Sequence, residues 1–529
     1  MVRTAAVGAA TGLGSAAAAL AAGDLTAAFT GPSSAPVIAV GSAAINLTPT
    51  WLKDFAVQHF GTHDKTVLLT GIYATMLVIA LLAGVLALRW RRVGLTLFVL
   101  LAGVGAWAAS SRQASVVPSL VAGAVGAVAL SLLVRRATAG RPAAANAAAD
   151  ASAEAAANTS AANAAANAAP RGALDRRGFL LVLAGTAVFA VVAETAGRAL
   201  TAARYNVATA RAAIHLPRAV QPLPPVPASA HPDVAGLSPF STPVADFYRV
   251  DIDLTLPQVA PADWTLRVHG MVDHPLELSF DDLLHRPLVE LDHTLSCVSN
   301  QVGGPYVSTT RWLGASLPAL LREAGVRSGS QQLVGRSTDG MTIGSPLDLV
   351  LDGRTALLAV GMDGEPLPVA HGFPCRSVVP GLYGYTSATK WLTDLEVTTF
   401  AAYDPYWVHR GWDRTGTVKT ASRIEVPAPL AQVPAGTVTV AGTAWATHRG
   451  ISAVEVRVDG GPWLEADLAT AVSPDVWRQW TVNWTGAAPG LHTLEVRATD
   501  GTGAVQPQAS APPFPSGATG WHSIVVTVG

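Results

Sequence analysis

Hydrophobic residues follow two different patterns along this chain, and the change falls near residue 200. Before it, five stretches of about twenty residues carry almost no charge: 4–22, 67–88, 93–109, 115–134 and 178–197. A helix rises 1.5 Å per residue, so about twenty apolar residues match the hydrocarbon core of a bilayer. All five are predicted as membrane helices. The apolar run 35–47 is too short to span and is expected at the interface. After residue 240 apolar positions alternate over short stretches, as in "WTLRVHG" and "KWLTDLEVTTF", which predicts strands. "LGASLPALLREAG" has helical spacing and stops at Gly325. Residues 241–403 therefore read as a mixed α+β domain. From 404 to 529 the pattern holds strands alone ("TVTVAGTAW", "AVEVRVDGGPW", "WRQWTVNW", "HTLEVRATDG"), with a hairpin turn at 459–461. That is a β-sandwich of immunoglobulin-like type.

The segments between these blocks have compositions of their own. Residues 137–175 are mostly Ala and Asn, lack bulky apolar side chains, and read as a loose linker. Residues 201–240 are rich in proline and read as an extended tether. Arginines orient the whole. Arg89, Arg91 and Arg92 follow the second stretch, Arg135 and Arg136 the fourth, and Arg176 and Arg177 precede the fifth. Placed together in the cytoplasm, they put the linker inside and everything beyond residue 197 outside. Arg112, on the outer side, dissents. "DRRGFLLVLAG" is also similar to a twin-arginine export signal, an alternative to a plain basic flank. Glu194, near the outer end of the fifth stretch, reads as a carboxylate reaching for water.

Composition narrows the class. Half of the 529 residues are hydrophobic, 13% are charged and the net charge is −1, which fits a membrane protein with a soluble part and excludes a nucleic-acid partner. Two cysteines suffice neither for a disulfide scaffold nor for a four-thiolate metal site. One of them, Cys297, lies in "HTLSCVSNQVGG", a short-chained, Gly-rich loop in which backbone can approach a bound group. From the residues alone Cys297 is a buried small hydrophobe, a nucleophile served by His293, half of a bridge with Cys375, or a soft ligand for a redox metal.

Several ordered motifs here carry a resemblance. "TLSCVSN", "TTRWLGASLPALLREAG" and "GEPLPVAHGFPCRSVVPGLYGYTSATKW", followed by "GTAW", "VEVRVDGG" and "VRATDGTGAVQP", resemble the sulfite oxidase family of molybdopterin-dependent oxidoreductases over about residues 241–529. The resemblance implies a multi-domain protein: an α-helical transmembrane region, an α+β sulfite-oxidase-type molybdopterin domain, and a C-terminal immunoglobulin-like β-sandwich that forms a homodimer. It implies molybdenum-molybdopterin as cofactor, with Cys297 as the metal ligand. It implies His371, Arg376, Lys390, Arg249 and Arg311 as pterin and phosphate contacts; a guanidinium suits a phosphate because its fork donates two parallel hydrogen bonds. Arg249 stands in "FYRVD", where Val250 and Asp251 replace the family's Asn and His.

The family pattern breaks where substrate would bind. Gln301 and Val302 follow Asn300 in place of two arginines, and Tyr385–Thr386 follow Gly384 in place of Ala and Arg. Asn300, Tyr383 and Tyr385 remain as polar groups able to orient a substrate or pass a proton. A small neutral oxo donor or acceptor, such as a sulfoxide or N-oxide, is expected rather than sulfite. The chain has no C-x-x-C-H and the five apolar stretches hold no histidine, so electrons are expected to pass to a separate carrier, a cytochrome or a quinone-linked protein. The competing expectation is an inactive, membrane-anchored binding or adhesion protein that displays the sandwich.

The arginine pattern is directly testable. Topology reporters fused at residue 155 and at residue 529 are expected to give opposite signals, and like signals would refute the orientation.

Overall fold

Long runs of Ala, Leu and Val leave few residues able to stop a helix, and the first part of the chain folds accordingly. The computed structural model describes residues 2–49, 52, 55, 59–60, 64–112, 114–138 and 176–529. The Ala/Asn-rich linker, beyond its first two residues, lies outside them. The described residues include the helices α1 (Val2–Thr30), α2 (Pro36–Leu47), α3 (Asp64–Arg89), α4 (Arg91–Ser110), α5 (Val117–Thr138) and α6 (Arg176–Tyr205), which belong to one compact unit. All but α2 are long and apolar enough to cross a membrane. The helix α1 runs past Asp24, to Gly31 at φ 112° and Pro32, where a left-handed residue and a missing N–H end it. Its small residues are what make it central. It packs on α3, α5 and α6. A Cβ added at Gly12 would lie 1.9 Å from the Ala80 carbonyl oxygen, and one at Gly84 2.1 Å from that of Gly8, so the backbones of α1 and α3 touch there. The short α2 buries Val37, Ala39 and Ala43 within the same unit. Glu194 does not simply reach for water: it hydrogen-bonds Asp24 and pairs with Arg198 at 2.7 Å.

Residues 207–251 and 256–529 form the second compact unit. Its first part holds β1 (Thr265–Gly270), β2 (Leu276–Ser279), β3 (Leu288–Ser296), β4 (Val307–Ser316), β5 (Gln332–Ser337), β6 (Thr342–Pro346), β7 (Leu357–Met362), β8 (Glu365–Pro366), β9 (Arg376–Val378) and β10 (Leu392–Thr398). They make two sheets, β2-β1-β10-β5-β6 and β3-β4-β7-β8, with β9 against β7. Every pairing is antiparallel except β1 with β10. The helix Leu317–Ala324 is capped as its sequence dictates. Ser316 accepts from the Ala319 N–H, Pro318 sits in the first turn, and Gly325 closes the end at φ 69°. Its Leu317, Leu320 and Leu321 join Leu266, Val268, Leu358 and Leu395 in the core.

The remainder is a sandwich of β11 (Ala421–Val426), β12 (Gln432–Val433), β13 (Gly436–Trp445), β14 (Ile451–Val458), β15 (Leu464–Glu465), β16 (Asp467–Leu468), β17 (Arg478–Ala487), β18 (Gly490–Asp500) and β19 (His522–Val528). Its sheets are β11-β13-β17-β16 and β12-β19-β18-β14-β15. Alternate residues such as Val440, Val454, Val456, Trp480, Leu494 and Val526 fill the space between them. A separate cluster joins the sandwich to the α+β part: Phe240, Val298, Tyr383, Trp412, Trp445 and Trp477. The proline-rich stretch is extended but bound. Val220 N–H donates to the Leu288 carbonyl, Leu223 N–H to Glu290, Ser238 N–H to Glu425 and Thr242 N–H to the Thr309 carbonyl. Free backbone donors next to two sheet edges find acceptors there, so the segment is a strap rather than a spacer.

Gly12→Leu is expected to destabilise the helical unit by at least about 2 kcal/mol, since backbone cannot yield to the new side chain. Gly103→Leu, where an added Cβ meets nothing within 4 Å, is expected to be neutral. Thermal unfolding in detergent compares the two.

Candidate active site

The strand β3 ends at Ser296, and the next residue is Cys297. Residues 297–306 turn back to β4 in a loop closed by its own backbone: Cys297 N–H donates to the Tyr306 carbonyl at 3.0 Å and Asn300 N–H to the Cys297 carbonyl at 3.1 Å. Asn300 is buried, and its Oδ1 accepts from the Tyr306 N–H at 2.9 Å, so it shapes the loop. Gly303 has φ 75°, and a Cβ there would lie 2.2 Å from the His522 ring. Only glycine meets both demands. The neighbouring carbonyl of Gly304 accepts from Arg423 Nη1 at 2.9 Å. His522 and Arg423 belong to β19 and β11, so the sandwich forms one wall of the loop.

Cys297 is half-buried, with Sγ 2.9 Å from Ser299 Oγ. Burial raises its pKa, against the opposing pull of Ser299. A thiol held protonated is no ready nucleophile. His293 does not serve it as base: it is buried, its Nδ1 faces the Asp475 carbonyl at 3.1 Å, and burial lowers its pKa to about 4. Cys375 is a free thiol in the hydrophobic core, its pKa raised by burial, and no bridge joins it to Cys297.

Basic side chains converge beside this loop. Arg376, on β9, is buried with its guanidinium carbon 4.9 Å from the centre of the Trp312 ring. Nη1 donates to the His371 carbonyl at 3.1 Å, Nε has no partner, and among the described residues no carboxylate pairs with it. Burial pushes its pKa down to about 10. His371 is buried edge-on to Phe247; burial, then Arg376 and Lys390, lower its pKa to about 4, so it is neutral at physiological pH. Lys390 follows; burial lowers its pKa to about 8 although Asp251 opposes this. Asp251 Oδ2 lies 3.1 Å from Lys390 Nζ and 3.1 Å from Arg249 Nε, with its side chain 2% exposed. Asp251, which stands where the resemblance implies a histidine, thus places one carboxylate between two cations. Gly372, at φ 106°, brings the Lys390 backbone close, where a Cβ would stand 3.0 Å from Lys390 Cα.

Tyr248 links the two halves of the site, and no sequence expectation named it. Burial raises its pKa well above the usual value; Cys297 adds to the rise and Arg376 opposes it. Its hydroxyl is 3.6 Å from the position of a Cβ on Gly384. Its only signal in the sequence was adjacency to Arg249 in "FYRVD".

Three expected residues lie differently. Arg311 is not brought to the His371 cluster. It pairs across the ladder with Asp292 at 2.8 Å and donates to the Leu223 and Pro224 carbonyls of the strap. Trp312 packs on Arg376, and successive strand residues face opposite sides, so Arg311 must point away. Tyr385 donates its hydroxyl proton to the Asp413 carbonyl at 2.6 Å and packs against Trp412. Tyr383 is buried, feels Cys297 electrostatically, and accepts from the Lys419 N–H at 3.3 Å.

A neutral imidazole, an uncompensated buried guanidinium and two cations sharing one carboxylate make a cradle for an anionic group. Other buried polar atoms on the same side of β3 and β4 also lack partners: His293 Nε2, Thr310 Oγ1 and Trp312 Nε1. The donor set fits a phosphorylated cofactor beside a thiol, the class of a cofactor-dependent oxidoreductase. Residues 253–407 match the family model described as oxidoreductase molybdopterin binding domain, and residues 422–496 match the bacterial Ig domain. The chain is 35% identical over 153 residues to the uncharacterized oxidoreductase YuiH of Bacillus subtilis, covering 29% of this chain and 74% of YuiH. It is 32% identical over 321 residues to sulfite oxidase of Gallus gallus, covering 52% of this chain and 69% of that one. To the mitochondrial sulfite oxidase of Mus musculus it is 31% identical over 326 residues, covering 52% of this chain and 59% of the mouse protein's length. This chain belongs to the sulfite oxidase family of molybdopterin-dependent oxidoreductases, and its cofactor is molybdenum-molybdopterin.

Lys390 provides a pH test. Burial brings its pKa to about 8 in the fold, against 10.5 for an ordinary lysine. Between those values the unfolded chain binds more protons, so Lys390 makes stability rise with pH across that window. In cofactor-free protein, the difference in melting temperature between wild type and Lys390→Met is expected to shift in favour of wild type from pH 8 to pH 10. A pH-independent difference would refute the assignment.

Proposed function

We propose that this protein is a membrane-anchored, extracytoplasmic oxidoreductase that transfers an oxygen atom to or from a small neutral molecule. The observation that carries the reading is the cradle of His371, Arg376, Lys390 and Arg249, in which the buried Arg376 guanidinium has no carboxylate partner among the described residues. Bound there, the cofactor supplies a metal able to exchange two electrons and an oxygen atom with substrate.

The chain's own residues bind, orient and move protons. Cys297 offers the thiolate, and coordination would offset the burial that otherwise keeps it protonated. His371, Arg376 and Lys390 hold the pterin and its phosphate, with Arg249 at the exposed rim. Asn300 keeps the loop in shape. Tyr248 and Tyr383 are the hydroxyls placed to hold a proton near the substrate, while Tyr385 braces the wall.

The substrate side favours a neutral molecule. Gln301 and Val302 carry no charge, and Arg423 of β11, which touches the loop, is engaged by Glu425 at 2.7 Å and by the Gly304 carbonyl. Losing one charge-assisted hydrogen bond to an anion costs about 1.5–3 kcal/mol, so two such losses weaken sulfite binding by orders of magnitude. The five long apolar helices support the anchor, and the arginine clusters support the outward placement of the catalytic unit. The sandwich supports a homodimer by its likeness to the family's dimerisation domain, and the electrons go to a separate acceptor.

Cys297→Ser is expected to fold, to retain pterin and to lose turnover, because a hydroxyl is a poor substitute for a soft thiolate. Wild type is expected to reduce small sulfoxides or N-oxides with an artificial electron donor. Sulfite oxidation with kcat/KM above about 10⁴ M⁻¹s⁻¹ would overturn the neutral-substrate reading, and full activity of Cys297→Ser would overturn the ligand assignment.

A further inference from the structure

The turn that carries Cys297 brings two donors to its sulfur, and both belong to Ser299. Residues 297–300 form a β-turn, closed by the Asn300 N–H on the Cys297 carbonyl at 3.1 Å. Such a turn lets a polar side chain at its first position accept from the backbone N–H two residues on. Cys297 is placed in this way, and the Ser299 N–H donates to its sulfur. The Ser299 hydroxyl meets the same atom, with Oγ 2.9 Å from Sγ. That oxygen has no other hydrogen-bond partner among the described residues, so the contact is its single engagement.

The backbone of the turn is held on both sides of Ser299. Val298 is buried in the cluster that contains Tyr383 and Trp412. Asn300 Oδ1 accepts from the Tyr306 N–H at 2.9 Å. The direction of the hydroxyl then follows from the state of the sulfur. A thiol can donate to Oγ, whereas a thiolate has no proton and can only accept. With Cys297 as a metal-bound thiolate, the Ser299 O–H must turn its proton to the sulfur. A thiolate that accepts two hydrogen bonds gives less charge to its metal, which favours the reduced, more electron-rich state.

We infer that Ser299 sets the reduction potential of a metal bound at Cys297, holding it above the value that the thiolate with its backbone donor alone would give. Ser299 is a positioning residue, since it acts through Cys297. It thereby selects the carriers with which the site can exchange electrons. The inference rests on the reading of Cys297 as the metal ligand.

Substitutions at Ser299 in the full chain test it. Ser299→Ala and Ser299→Gly remove the hydroxyl and keep the backbone donor, and Ser299→Thr keeps both. In molybdenum-loaded protein, a redox titration followed by electron paramagnetic resonance reads the midpoint potential of the metal. Ser299→Ala and Ser299→Gly are expected to lower it by about a tenfold change in the one-electron equilibrium constant, or about 59 mV. Ser299→Thr is expected to stay near wild type. In cofactor-free protein, infrared difference spectra against wild type read the S–H stretch of Cys297, because Cys375 lies in the hydrophobic core and contributes equally to both. That band is expected to shift in Ser299→Ala and to stay in place in Ser299→Thr. Melting curves establish that each variant folds, and Ser299→Gly carries the test should Ser299→Ala fail to. A wild-type potential in the loaded, folded variants that lack the hydroxyl overturns the inference. So does an equal fall in folded Ser299→Thr, or an infrared band that stays in place when the hydroxyl is removed. The infrared measurement needs no metal, so the two failures are distinguishable. A chain that takes up no molybdenum overturns the ligand reading, and the inference with it, even where the band shifts. A loaded chain with an unmoved potential overturns the inference alone.

Discussion

The edge of one strand governs the catalytic unit. The strand β3 lies at the end of its sheet and leads straight into Cys297. An uncovered edge would offer unpaired backbone groups to any other chain. Here residues 475–477 of the sandwich cover it. Thr294 N–H donates to the Asp475 carbonyl at 2.9 Å, and Trp477 N–H donates to Thr294 Oγ1 at 2.7 Å. Trp477 then anchors the strap through its ring N–H and the Phe240 carbonyl at 3.0 Å. Beyond the strand end, His522 and Arg423 press on Gly303 and Gly304. The β-sandwich is therefore part of the wall that places the cysteine, whatever else it does in assembly.

Electrostatics in the cradle follow from burial. Arg376 is removed from water and is compensated only by an aromatic face and a carbonyl. Lys390 and Arg249 share Asp251. In the proposed reading a bound phosphate would supply the negative charge that these buried cations lack. His371, kept neutral by burial and then by the same cations, can donate or accept a hydrogen bond without adding charge. Asp251 holds two of the cations in place.

Much of this was legible in the sequence because it depends on local patterning. Long uncharged stretches, period-two alternation, Gly325 after a helix and the "VDGG" turn each specify backbone over a few residues. The ordered motifs from "TLSCVSN" to "TKW" carried the family and its cofactor, because they bring the cysteine and the basic residues in a set order. His371, Arg376, Lys390 and Arg249, named from those motifs, do converge in the fold.

Tertiary structure alone decided the rest, and for one reason: contact between residues distant in sequence has no local signature. Arg311 and Arg376 look alike in the chain, yet strand parity and Trp312 send one to the strap and the other to the cradle. Tyr385 is turned to the Asp413 carbonyl, while Tyr248 is the tyrosine that feels both Cys297 and Arg376 electrostatically. Prolines predicted an extended segment, but only the neighbouring sheet edges turned it into a strap. Uncharged length determined that the first helices could cross a membrane. Where Gly12 meets Ala80 and how Asp24 finds Glu194 were settled by packing.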